Sequence, residues 1–124
     1  LPLLESDLLT VMQATTNGTL ADVEVKFADK HACCVILASA GYPTSYKKGF
    51  EMTFTDEALA ATFVAGAKKE GEKLLTWGGR VTGTTAIADS LSEAIKEAYR
   101  LSDGVKFEGA YRRSDIGQRA LQAK

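Results

Sequence analysis

Residues 80–102 read Arg-Val-Thr-Gly-Thr-Thr-Ala-Ile-Ala-Asp-Ser-Leu-Ser-Glu-Ala-Ile-Lys-Glu-Ala-Tyr-Arg-Leu-Ser, and they decide the fold. Arg80 to Asp89 reads as a strand, and from Leu91 the pattern becomes helical. Ser90 with Glu93 three residues later is a capping box, in which hydroxyl and carboxylate each satisfy a backbone N–H at the helix start. Leu91, Ala94, Ile95 and Ala98, with Leu101 or Tyr99, then form one buried stripe, and Asp103-Gly104 ends the helix. Upstream, Gly78-Gly79 has the spacing of a two-residue hairpin turn leading back to a strand at Lys73 to Trp77. Glu70-Gly71 connects that strand to another at Thr62 to Ala67.

Further upstream, His31 to Ser39 reads as a buried strand rich in Val, Ile and Cys. Val23, Val25 and Phe27 alternate with Glu24 and Lys26, the period of a half-buried strand. Ala28-Asp29-Lys30 is a turn, so these two runs are expected to pair as a hairpin. Between them and the later strands, Ala40 to Gly49 is a loop carrying Tyr42-Pro43, Tyr46 and the lysines Lys47 and Lys48. Near the N-terminus Ser6 is expected to cap a helix over Asp7 to Ala14. Downstream, Val105 to Phe107 is a short strand, and Ser114-Asp115 opens a final helical turn through Leu121. No helix is expected between Val23 and Ser90, whereas a parallel sheet needs one after almost every strand. The expected class is therefore α+β: a small antiparallel β-rich domain with one main helix.

The chain of 124 residues carries 15 basic and 16 acidic side chains, a net charge of −1, with 45% hydrophobic and 25% charged residues. That balance fits a packed domain and lacks the excess of Lys and Arg expected of a nucleic-acid or anionic-membrane binder. The apolar run ending at Ala38 is far short of the roughly 20 residues that span a bilayer. Cys33 and Cys34 are neighbours, a poor geometry for a disulfide, which points to a reducing, cytoplasmic compartment.

Most familiar chemistries find no support. His31, Cys33 and Cys34 are the soft metal ligands, but strand alternation divides them between two faces, so no metal site is expected. The single His and the scattered Ser and Thr form no triad pattern, so no catalytic residue is assigned. Gly78-Gly79-Arg80-Val81-Thr82-Gly83 is glycine-rich without the Gly-Lys-Ser/Thr ending of a P-loop, although Arg80 places a guanidinium beside it. The strongest local signal is Tyr111-Arg112-Arg113-Ser114-Asp115-Ile116-Gly117. Two adjacent guanidinium forks suit a phosphate dianion, so Arg112 and Arg113, with Arg80, are the candidate phosphate ligands. The competing reading pairs those arginines with acids of the domain.

Four segments together resemble one family: Leu1-Pro-Leu-Leu-Glu-Ser-Asp-Leu-Leu9, the Ala38–Gly49 loop, Gly78–Gly83 and Arg112–Gly117. They are similar to the C-terminal part of phosphoribosylamine–glycine ligase, or glycinamide ribonucleotide synthetase, of the ATP-grasp superfamily. The resemblance implies that residues 1–27 are the end of an ATP-grasp domain with its linker, and 28–124 the C-terminal domain. It implies a ligase of purine synthesis that joins glycine to phosphoribosylamine at the expense of ATP, with Mg²⁺ or Mn²⁺. The implied partners are the N-terminal and ATP-grasp domains, which would hold the metal ligands and most of the nucleotide site, so the fragment alone is expected to be inactive. Phe63-Val64-Ala65-Gly66-Ala67 departs from the family's Phe-His-Ala-Gly-Thr, and Thr44 stands where Gly is common. The alternative is a free-standing β-rich binding or scaffold module without catalysis.

Overall fold

The continuous apolar run His31–Ser39 becomes strand β1, in which Cys33, Val35 and Leu37 are buried while Cys34 and Ile36 stay exposed. The alternation arises because a helix covers only one face of the sheet. In this computed structural model, which describes residues 1–123, the elements follow in the order α1 (Leu8–Asn17), β1, β2 (Thr53–Phe54), α2 (Asp56–Ala60), β3 (Thr62–Val64) and β4 (Ala67–Glu70). β5 (Lys73–Thr76), β6 (Arg80–Ala88), α3 (Leu91–Ser102), β7 (Val105–Lys106), β8 (Ala110–Tyr111) and α4 (Gln118–Gln122) complete the chain. The main sheet has the order β3-β6-β1-β8, every pairing antiparallel; β2-β7 and β4-β5 form two small ribbons.

The expected α+β class holds, and α3 has the bounds read from the sequence. The Ser90 hydroxyl accepts from Glu93 N at 3.2 Å and bonds the Glu93 carboxylate at 2.8 Å. Ala94, Ile95 and Ala98 pack on Cys33, Val35 and Ala86, the first of two cores. The second gathers Leu37, Met52, Ala58, Val81, Val105 and Phe107. Burying Ile95 alone is worth about 2–3 kcal/mol.

Register in the main sheet shifts once. Leu37 faces Thr82 but Ala38 faces Arg80, so Val81 is the extra residue of a bulge. Thr82 and Val81 are both buried, and Arg80 emerges on the other side of the sheet.

Five local expectations differ from the structure. Val23–Phe27 is not a strand and makes no hairpin with β1; Phe27 forms an isolated bridge with Leu4. β6 runs along one edge of β1 and β8 covers the other only at Ala38 and Ser39, yet the alternating segment is not laid along the remaining edge; its one bridge is to Leu4. Gly78-Gly79 is not a hairpin turn, because β5 pairs with β4 and β6 belongs to the main sheet. The expected strand Thr62–Ala67 likewise breaks into β3 and β4 at Gly66. Both breaks have one cause: Gly66 O accepts from Trp77 N (2.8 Å) and Gly78 N (3.0 Å), and a Cβ on Gly66 would stand 2.8 Å from Gly78 Cα. Two glycine corners cross there, turning the chain from the main sheet into the β4-β5 ribbon and back.

The short helix α2 was not expected. Thr55 caps it, accepting from Ala58 N at 3.3 Å, and Ala58 enters the second core. Finally, Asp7 rather than Ser6 caps α1. Its carboxylate accepts from Thr10 N at 2.8 Å, whereas the Ser6 hydroxyl accepts from Lys26 N at 2.7 Å. The same bonds from Thr10 hold the Asp7 carboxyl below its ordinary value.

Candidate functional site

The face of the sheet turned away from α3 carries Cys34 and Ile36 from β1 and, opposite them, Thr85 and Gly83 from β6, with Phe63 beyond. At its β8 end lies a groove of about 460 Å³, whose lining includes Ile36, Tyr42, Arg80, Tyr111, Arg112 and Arg113. Three separated sequence motifs meet here: the Tyr-Pro loop, the glycine corner and the double-arginine segment.

Each wall has a local cause. β1 ends at Ser39, whose N donates to Gly79 O at 2.8 Å and whose buried hydroxyl donates to Gly78 O at 2.9 Å. The loop after β1 thereby lies against the corner, and the Tyr42 ring rests on Gly79, where a Cβ would be 2.0 Å from Tyr42 Cδ2. Opposite, β8 pairs Tyr111 with Ala38 and delivers Arg112 and Arg113 to the rim.

The three arginines share the groove but differ in what they have free. Arg80 is exposed and has no carboxylate within salt-bridge distance among the described residues. Arg113 is also exposed, its Nε and Nη2 donating to the two oxygens of Asp115 at 2.7 and 2.6 Å. That pair lowers the Asp115 carboxyl and raises the Arg113 guanidinium. Arg112 turns back onto the end of α3. Its guanidinium donates to Asp103 Oδ1 at 2.6 Å, Tyr99 O at 3.3 Å and the Ser102 hydroxyl, and stacks 5.1 Å from the Tyr99 ring centre. With three acceptors already engaged, Arg112 has few donors left for a ligand.

Tyr99, Asp115, Tyr42 and Tyr111 are site neighbours that reasoning from sequence did not assign. Tyr99 was legible only as an ambiguity in the stripe of α3, and Tyr42 as a loop aromatic. Lys48, a loop lysine, lies 5.6 Å from the Trp77 ring centre and 6.0 Å from that of Tyr46, away from the arginines. Lys47 lines a different hollow, with Tyr46 and Phe50. Among the described residues no three of His, Cys, Asp or Glu converge as metal ligands. No helix among them is long and apolar enough to cross a membrane.

A one-sided antiparallel sheet with three arginines lining a groove on its open face defines a small α+β domain. The chain belongs to the family described as phosphoribosylglycinamide synthetase, C domain, which matches residues 32–119. The bifunctional purine biosynthetic protein of Pichia angusta is 46% identical over 127 residues, covering 100% of this chain and 16% of that protein. The phosphoribosylamine–glycine ligase of Caldanaerobacter subterraneus subsp. tengcongensis is 45% identical, covering 94% of this chain and 28% of the ligase. The human trifunctional purine biosynthetic protein adenosine-3 is 43% identical, over 98% of this chain and 12% of that protein. A crystal structure of phosphoribosylamine–glycine ligase from Thermotoga maritima superimposes with a TM-score of 0.70 at 33% identity, covering 85% of this chain and 27% of that one. The chain thus spans between 12% and 28% of the length of these relatives.

Proposed function

We propose that this chain is the C-terminal part of an ATP-dependent ligase that joins glycine to 5-phosphoribosylamine in purine biosynthesis. In that reaction ATP transfers its terminal phosphoryl group to the glycine carboxylate. The amine of phosphoribosylamine then attacks the acyl phosphate, giving glycinamide ribonucleotide, ADP and phosphate. Mg²⁺ or Mn²⁺, held outside this chain, neutralises the transferring phosphoryl group.

The contribution of this domain is to hold the substrate's 5-phosphate and close one side of the active site. The observation that carries the reading is the placement of Arg80 and Arg113 in one groove, both exposed, in a chain whose relatives bear the ligase name. Arg80 supplies a dianion with a fork unpaired among the described residues, and Arg113 the donors that its pairing with Asp115 leaves. Arg112 borders the same groove and adds positive charge, although its donors are directed at α3.

Residues 1–27 belong to the end of the ATP-grasp domain and its linker, and 28–124 to the C-terminal domain. Two exposed apolar surfaces support a covering by the rest of the ligase: Leu9 and Met12 of α1, and Phe63 and Ile87 of the open sheet face. Leu1 and Pro2 lie beside Cys34 and Phe63 on that face. Such contiguous apolar area is characteristic of an interface. The test is Arg113→Ala in the full-length ligase. Its KM for phosphoribosylamine should rise about tenfold or more, the worth of one charge-assisted hydrogen bond, with the KM for ATP unchanged. Equal damage to both constants would refute the assignment.

A further inference from the structure

Arg113 is exposed and its backbone belongs to no helix or strand, yet a phosphate ligand works only if its position is fixed beforehand. The fixing comes from Tyr99, on the third turn of α3. Its hydroxyl donates to Arg113 O at 2.6 Å and accepts from Ile116 N at 3.0 Å. One oxygen therefore ties both ends of the Arg113–Ile116 turn to the most firmly packed helix of the domain, whose Ile95 and Ala98 are buried in the first core. Neither backbone group has another partner among the described residues. The Tyr99 ring also carries Arg112 stacked 5.1 Å from its centre, and Tyr99 O accepts from the same guanidinium. The residue before Arg113 is thereby locked to the same helix.

We infer that Tyr99 is a positioning residue for the substrate phosphate: its hydroxyl holds the Arg113–Ile116 turn so that the Arg113 guanidinium is presented into the groove. Tyr99 does not touch the substrate. Its ring is half-buried against Arg112, and both hydrogen-bonding directions of its hydroxyl are taken by the chain. The inference rests on the reading that Arg113 meets the 5-phosphate.

The experiment is a double-mutant cycle in the full-length ligase, comparing wild type, Tyr99→Phe, Arg113→Ala and the double variant. Tyr99→Phe keeps the ring and its stacking and removes only the hydroxyl. It should raise the KM for phosphoribosylamine about fivefold, the change equivalent to one net hydrogen bond, and leave the KM values for ATP and glycine unchanged. Unchanged constants for those two substrates also show that the variant is folded. In the Arg113→Ala background the same substitution should have no further effect, because the residue it positions is gone. A merely structural role would give an additive loss in the cycle or a fall spread over all three substrates, and either overturns the inference. An unchanged KM for phosphoribosylamine in Tyr99→Phe, beside a raised one in Arg113→Ala, overturns it while leaving the site standing. No effect in Arg113→Ala removes the site itself, and this inference with it.

Discussion

Arg112→Ala separates a strut from a ligand. Arg112 donates to Tyr99 O and the Ser102 hydroxyl in partly buried surroundings, and to Asp103 at an exposed position. Hydrogen bonds to a charged group contribute about 1.5–3 kcal/mol. Stacking on the Tyr99 ring adds about 0.5–1 kcal/mol, and the exposed Asp103 arm adds at most about 1 kcal/mol. One guanidinium makes all of these, so they overlap rather than sum, and a loss of about 2–3 kcal/mol is expected. For a chain of 124 residues, an unfolding entropy of about 2.1 cal/mol/K per residue converts that into a melting point lower by about 8–12 °C. Arg112→Lys keeps the charge but not the planar fork and should recover only part of the difference. Thermal unfolding followed by circular dichroism reads the effect directly. An unshifted melting point, together with a raised KM for phosphoribosylamine in the intact ligase, would show that Arg112 binds substrate and that its contacts to α3 are idle.

Ile95→Ala opens a void between α3 and the sheet and should cost about 2–5 kcal/mol in urea unfolding, with an unchanged slope. Cys33 is buried and burial raises its thiol pKa, whereas Cys34 is exposed. Iodoacetamide near pH 8 should therefore alkylate Cys34 in the native protein and spare Cys33 until denaturant is added, as peptide mass mapping will show. Asp7 has its carboxyl lowered by the bonds from Thr10, so its cap contributes fully above the unfolded carboxyl value of about 3.9 and is lost as pH falls through the lower folded value. In Asp7→Asn that part of the acid destabilisation should vanish from melting curves recorded between about pH 2 and 5.

The sequence disclosed elements whose signals are local. α3 declared its first residue through Ser90 and Glu93 and its buried side through Ala94, Ile95 and Ala98, and the structure keeps each of these. Val23–Phe27 had an equally regular period and forms no strand, because alternation supplies no partner by itself and the segment meets only Leu4, at one isolated bridge. Gly78-Gly79 carried a hairpin's spacing, yet its conformation is set by Gly66, twelve residues away and invisible to a local reading. The site divides in the same way. Residue type picked out Arg80, Arg112 and Arg113, and the fold does gather them in one groove. What distinguishes Arg112 from Arg113 is the direction of a side chain relative to Tyr99 and Asp103, a tertiary fact that no spacing encodes.

The bulge at Val81 has a consequence for the groove's charge. Side chains along a strand obey parity: even and odd positions take opposite sides. Were the strand regular through Val81, position 80 would share the side of Thr82 that faces α3, and a guanidinium there would be driven among apolar groups. The bulge thus does more than bend an edge: with both Arg80 and Val81 present, it decides which half of the molecule meets an anion.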